Sequence, residues 1–238
     1  MAWLVDFVFT TEKSTIPRYQ ALLAHKRIHL LQFAAQPTLH NPLEEYPRQD
    51  GICFAGAYYP QHPERQTDLD AMLPIIQNYK PLSIYDRNFA SACAYNPPFP
   101  AHYQQFVRGH VEFNQIAKAY KSYNYALNIN TVKNSETMFS RRVFELMASN
   151  TLIISNFSRA LKLAFGAMVF TSDDTLLLEK YLQLVASQAR IARQLKLLAL
   201  RVVMQEHTYF DRLGTIKSAI SGKSYPLLKP RVFIIARI

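Results

Sequence analysis

No apolar run in this 238-residue chain reaches the roughly 18 to 20 residues that a helical membrane span requires, so no membrane span is expected. Cysteine is scarce. Cys53 and Cys93 are the two present, both in apolar or aromatic surroundings, and neither belongs to a C-x-x-C pair. A zinc site is therefore not expected, and free thiols in a cytoplasmic setting are. The opening MAWLVDFVFTTEKS has no basic segment ahead of its apolar stretch and no small-residue cleavage site, so it does not read as a signal peptide. Long polar low-complexity tracts are also missing, which argues against extensive disorder.

Apolar mass and positive charge are abundant. Hydrophobic residues make up 49 % of the chain, enough for a sizeable core. The length fits one large α/β domain or a domain with flanking pieces. The formal charge is +10, from 27 Lys and Arg against 17 Asp and Glu. That excess favours anionic partners such as nucleotides, phosphorylated polymers, nucleic acid or acidic lipid, without choosing among them. Scattered Lys and Arg on solvated helices is the plainer reading of the same number.

Residues 1–50 form a loosely patterned lead-in, with a strand-like run in RIHLLQFAA and a three-proline linker in PTLHNPLEEYPRQ. ICFA, ending at Gly56, reads as a buried strand and turn. HPERQTDLDAMLPIIQNY reads as a helix broken or bent at Pro74. LSIYD is a second strand, followed by the Pro- and aromatic-rich RNFASACAYNPPFPAHY. From Glu112 the alternation sharpens: helical EFNQIAKAYKSY, strand YALNIN, polar loop TVKNSETM, helix SRRVFELMAS, strand TLIIS, helix SRALKLAF and strand AMVFT. Asp173 and Asp174 open DDTLLLEKYLQLVA as a helix N-cap, not a metal site, and long helices follow to about Leu213. Such alternation predicts an α/β, Rossmann-like parallel sheet with helices on both faces. After SGKSYPLLKP, RVFIIARI reads as the opening strand of a further segment or as an added edge strand.

Ligands of open α/β sheets bind at the carboxyl ends of strands, where loops lead into helix N-termini. TVKNSETMF follows such a strand, carries Thr131, Lys133, Asn134, Ser135 and Thr137, and leads to backbone N–H groups suited to a phosphate. Helical spacing places Phe139, Val143, Leu146 and Met147 on one face, against the sheet. Glu145 falls on the far side near Met138 and Arg141, with Arg142 on a flank. From spacing alone, Arg141 and Glu145 are either a solvated i,i+4 pair or part of a ligand site.

RRVFELMASNTLIISNFSRALKLAFG resembles the donor-binding segment of GT-B glycosyltransferases, closest to the spore-maturation CgeB-like family. There an R-x-F-E helix leads into a small-residue turn and a T-x-x-I-S-N strand. The likeness extends through CFAGAYYPQHPERQ, LSIYDRN and MQEHTYFDRL, over roughly residues 50–213. It implies the C-terminal half of a GT-B fold and a nucleotide-sugar donor, with no further cofactor and no metal. By this resemblance Glu145 would accept the ribose hydroxyls, and the backbone of Ser135–Phe139, Met138 included, would meet the diphosphate. Arg142, or Arg141, would neutralise the phosphates and stabilise the leaving nucleoside diphosphate, which makes Arg142 the catalytic candidate. Asn150 stands where many members of the wider superfamily have Gly, and Asn tolerates the left-handed φ.

Gly56, Arg108 with Gly109, and Asp86 with Arg87 are further candidates at strand ends. His207 and Tyr209 resemble a family feature but equally suit packing, and His102 and His110 read as structural. The implied organisation is residues 1–50 as the remnant of an N-terminal domain and hinge, 51–222 as the nucleotide-sugar-binding domain, and 223–238 as a linker and the start of a following segment. A GT-B enzyme takes its acceptor on an N-terminal domain, which would come from a longer or separate chain. The competing expectations are a nucleotide or nucleotide-sugar binding module without catalysis and, less favoured, a nucleic-acid binder using RQLKLLALR with Arg190.

Overall fold

The computed structural model describes residues 5–43, 47–90 and 97–225. The elements run β1 (Val8–Thr10), α1 (Ile16–Leu23), β2 (Ile28–Leu30), β3 (Gln49–Gly56), α2 (Pro63–Tyr79), β4 (Leu82–Asp86), α3 (Ile116–Lys121) and β5 (Tyr123–Asn128). There follow α4 (Arg142–Ala148), β6 (Leu152–Ser155), α5 (Arg159–Phe165), β7 (Phe170–Thr171), α6 (Thr175–Ser187), α7 (Ala189–Glu206) and α8 (Tyr209–Ser221).

Five parallel strands form the main sheet in the order β4-β3-β5-β6-β7. Because strand side chains alternate, the sheet feeds two cores. Ile52 and Phe54 of β3 join Leu69, Leu73 and Ile76 of α2 and Leu178 and Leu182 of α6. Cys53 and Ala55 point the other way, to Tyr120 of α3, Val143, Phe144 and Leu146 of α4, and Phe165 of α5. Helix α7 crosses from one core to the other: Ala192 belongs to the first, Ala199 and Val203 to the second. Each fully buried Leu, Ile or Phe contributes about 1.5–3 kcal/mol, so both cores are substantial. This is the Rossmann-like fold that the strand–helix alternation predicts.

Several expectations need correction. Residues 5–43 hold regular elements: β1 and β2 pair in parallel as a separate two-stranded sheet joined by α1. β2 falls in the strand-like run of RIHLLQFAA, whereas β1, three residues long, is too short for a period-two pattern to be visible. Helix α2 is not broken at Pro74; it runs unbroken to Tyr79 because Leu69, Met72, Leu73 and Ile76 hold it to the sheet while Pro74 faces solvent. Helical structure also continues past Leu213. A capping box between Thr208 and Asp211 opens α8, and left-handed Gly222 closes it. YALNIN pairs from Tyr123 and leaves the ladder at Asn128. RVFIIARI lies outside the described residues, as does Cys93. No described helix is long and apolar enough to cross a membrane.

Candidate functional site

At the carboxyl ends of β3 and β4, beside the start of α4, a cleft of about 480 Å³ opens. Gly56, Tyr85, Arg87, Arg141, Arg142 and Glu145 line it, with residues 110–113 on the opposite wall. Helix α4 is set there by its two ends. The Ser140 N–H donates to Asn130 Oδ1 at 3.0 Å, tying the helix entry to the end of β5. At the exit Asn150 has φ 54°, its N–H donates to the Met147 carbonyl, and the Thr151 N–H donates to the Leu146 carbonyl. This is a Schellman turn, and Asn supplies its left-handed residue as the sequence suggests.

Between those ends Val143, Leu146 and Met147 are buried as the spacing predicts, but so are Phe144, Glu145 and Ala148. Glu145 is therefore not solvated decoration: its side chain is 8 % exposed. His207 and Phe165 cover neighbouring Phe144, while Glu145 lines the cleft with Tyr120, Arg142 and residues 110–113. Arg141 Nε forms an ion pair with Glu145 Oε1 at 2.7 Å. The i,i+4 pair exists, and one of its members is buried.

Three guanidinium groups converge on the region between β3, β4 and α4. Arg142 Nε donates to the Tyr120 hydroxyl at 3.3 Å, and its guanidinium lies 5.7 Å from the Phe54 ring centre. Arg87 Nη1 donates to the Tyr59 hydroxyl at 2.8 Å. Arg65 packs over the same Tyr59 ring at 5.3 Å and donates from Nη1 to the Ile129 carbonyl at 2.6 Å, while its buried Nε has no partner. None of the three makes an ion pair among the described residues. Burial and then the like charge of Arg142, with a smaller push from Arg87, draw the Arg65 pKa down to about 10. Arg65 remains cationic at neutral pH, in a place that an anion would relieve.

Other predicted residues sit elsewhere. Lys133 lines a second cavity of about 240 Å³ with Arg65, Asp68 and Asn130, and its ammonium donates to Asp68 at 2.7 Å and Asp173 at 2.9 Å. Burial opposes that charge, but the hydrogen bonds it donates to both carboxylates outweigh it and the Lys133 pKa is raised. The group is a brace between α2 and the start of α6, since Asp173 also accepts from the Phe157 N–H. Asp174 is the N-cap of α6 as expected. Ser135 Oγ accepts from the N–H groups of Thr137 and Met138, so those two donors are already used. Thr137 is engaged with the N-terminal segment: Oγ1 accepts from the Lys13 N–H at 3.0 Å and donates to the Thr11 carbonyl at 2.9 Å. Phe139 is buried against Phe144 and Phe165.

Arg108 lies outside the cleft, its Nε directed at Ser83. Residues 107–109 extend the sheet beside β4, where the Asp86 N–H donates to the carbonyl of Gly109, whose φ of 100° suits glycine. Asp86 is fully buried and accepts from the N–H groups of Asn88 and Phe99, so it anchors the loop. Gly56 lines the cleft, and a Cβ there would stand 2.7 Å from the Phe54 ring. His207 packs on Phe144 and Phe165, and the backbones of His207 and Tyr209 pin Ala35. His102 stacks on Tyr103, whereas His110 lines the cleft with Nε2 3.6 Å from Glu112. Sequence reading missed Arg65, Tyr85, Tyr120 and the 110–113 wall. A buried arginine has no local signature that separates it from a solvated one, and the wall is irregular. Among the described residues no group of three His, Cys, Asp or Glu side chains could hold a metal ion.

A family model described as glycosyl transferase-like matches residues 75–218, more than half of the chain. No curated protein matches it. Among solved structures, TarM is similar at 10 % identity and TM-score 0.60, over 91 % of this chain and 43 % of that one. Sucrose-phosphate synthase from Thermosynechococcus elongatus is similar at 14 % identity and TM-score 0.63, over 92 % and 59 %. WaaG, described as a glycosyltransferase involved in lipopolysaccharide biosynthesis, is similar at 10 % identity and TM-score 0.59, over 90 % and 62 %. At these identities the likeness is one of fold. The chain spans less than two thirds of the length of these three structures.

Proposed function

The chain belongs to the glycosyl transferase-like family, and on that premise we propose that it is the donor-binding portion of a GT-B glycosyltransferase, taking a nucleotide-sugar. The observation that carries this reading is the pairing, in one cleft, of the buried Glu145 carboxylate with guanidinium groups that lack carboxylate partners. Glu145 accepts from the ribose hydroxyls, since a carboxylate can take both hydrogens of a cis-diol. Arg142 and Arg87, with Arg65 beneath them, receive the diphosphate, which matches their planar, multiply donating heads.

In transfer, the bond between the anomeric carbon and the diphosphate oxygen breaks and its electron pair leaves with the diphosphate. A bond forms from that carbon to the acceptor hydroxyl oxygen, whose proton departs to a base. Arg142 is the catalytic residue in this account, because it stabilises the charge that grows on the leaving group. Ser135, Thr137, Met138 and Phe139 shape the entry to α4 and do not supply donors. Lys133 and Arg108 hold the frame around the site.

The finer assignment to the CgeB-like family rests on the order of the R-x-F-E helix, the turn at Asn150 and the T-x-x-I-S-N strand. The proposed organisation keeps residues 51–222 as the nucleotide-sugar domain and 1–50 as the end of an acceptor domain with its hinge. The cytoplasm, where nucleotide-sugars would meet free thiols, is the proposed compartment. Transfer by this chain alone is not part of the proposal; binding is.

The test is a thermal-shift panel of UDP, GDP, CDP and ADP and their common sugar conjugates, run on the wild type and on Glu145→Gln. A ligand at 100 times its dissociation constant adds about 2.7 kcal/mol. At this size each kcal/mol moves the midpoint by roughly 2–4 °C. One base should stabilise the wild type, and the isosteric variant should lose most of that shift. A folded wild type that responds to none of the four sinks the reading. Binding without transfer to any acceptor would leave a nucleotide-sugar binding module.

A further inference from the structure

The Glu145 carboxylate is buried, so the groups around it decide how it is held and which oxygen is left for a ligand. The groups facing it differ in what they offer. Arg142 is turned to the Tyr120 hydroxyl. His40 is buried and accepts from the Gln36 N–H through Nδ1, and desolvation holds its pKa below the usual histidine value, although Glu145 pulls it upward. Lys121, beyond His40, donates to Asn41. His110 and Glu112 on the opposite wall face each other. Arg141 alone among the described residues touches the carboxylate, at 2.7 Å to Oε1. Its own position is fixed from across the cleft, where its guanidinium lies 5.6 Å from the Phe113 ring centre. Glu145 Oε2 accepts no hydrogen bond from the described residues and is not sealed off from solvent.

We infer that Arg141 is a positioning residue: it holds the Glu145 carboxylate through Oε1, leaving Oε2 to the ribose, and it does not bind the diphosphate. This rests on the ribose role of Glu145 proposed above. The two adjacent arginines then have separate tasks. Arg142 serves the phosphates, and Arg141 serves the carboxylate that reads the sugar of the nucleoside. The Phe113 ring lies beside the Arg141 guanidinium on the far side of the cleft.

The experiment compares wild type, Arg141→Ala and Arg141→Lys by calorimetry and ligand-observed NMR. The probes are the best-bound diphosphate of the four-base panel and the nucleoside of the same base. Without Arg141 the carboxylate is no longer held, and Arg141→Ala should bind about tenfold more weakly. The fold loss should be equal for nucleoside and diphosphate, and Arg141→Lys should recover part of the affinity. A loss confined to the diphosphate would make Arg141 a phosphate ligand and overturn the inference. So would a folded Arg141→Ala that binds both probes as the wild type does, or an Arg141→Lys that recovers nothing. Failure of the wild type to bind any probe would remove the Glu145 reading itself, a result distinct from either.

Discussion

At the scale of single residues, environment decides what a side chain can do, and sequence shows environment poorly. Glu145 and Arg141 are the clearest case: spacing offers their pairing, yet not that the carboxylate is buried, because the cleft it lines is assembled from distant parts of the chain, among them Gly56, Tyr85 and residues 110–113. Asn150 was legible, since few residues other than Asn and Gly suit a left-handed helix exit. Cys53 offers a residue-scale prediction. Burial pushes its thiol up to about 12, so almost no thiolate exists at pH 8. In a Cys93→Ser background the native protein should be inert to a disulfide reagent for hours and react at once in denaturant. Stoichiometric labelling of the native protein within minutes would contradict the burial of β3.

At the scale of elements, the long periodic stretches were legible and their interruptions were not. All five strands of the main sheet and helices α2 and α4 to α6 follow from apolar runs, caps and period. The error at Pro74 has a physical reason: tertiary packing of four buried residues outweighs one missing hydrogen bond. That reasoning predicts a gain on repair. Pro74 is exposed, so Ala introduces no clash and restores an N–H that can reach the Asp70 carbonyl. Pro74→Ala should stabilise the protein by about 1–3 kcal/mol, less than the full helix-interior cost because the unfolded chain also gains freedom. Urea unfolding measures it; an unchanged or lower midpoint would mean that proline costs this helix nothing as it is packed. Lys133 belongs to this scale too. It looked like a phosphate ligand because its loop is polar, and only the fold brings Asp68 and Asp173 to it.

At the scale of the whole molecule, charge and layering meet. The net +10 is not spread evenly in consequence: most cations counted here are either exposed on helices such as α7 or committed to carboxylates and carbonyls, while Arg65, Arg87 and Arg142 form a cluster without carboxylate partners. A chain that gathers unpaired cations at the carboxyl ends of a parallel sheet is arranged for an anion, and the two-sided sheet gives that cluster a rigid base. The N-terminal β1–β2 sheet is tied to the loop before α4 through Thr137, so the segment ahead of the main domain touches the frame of the site. Composition left an anionic partner and a merely solvated basic surface equally open, and it could not point to the cluster of Arg65, Arg87 and Arg142.

The most direct measurement is a crystal structure of the protein soaked with the nucleoside diphosphate selected by the panel. The account predicts ribose hydroxyls within hydrogen-bond reach of Glu145 Oε2, the Arg141–Glu145 contact retained, and phosphate oxygens on Arg142 and Arg87. A nucleotide bound instead in the cavity beside Lys133, or with its phosphates on Arg141, would contradict it.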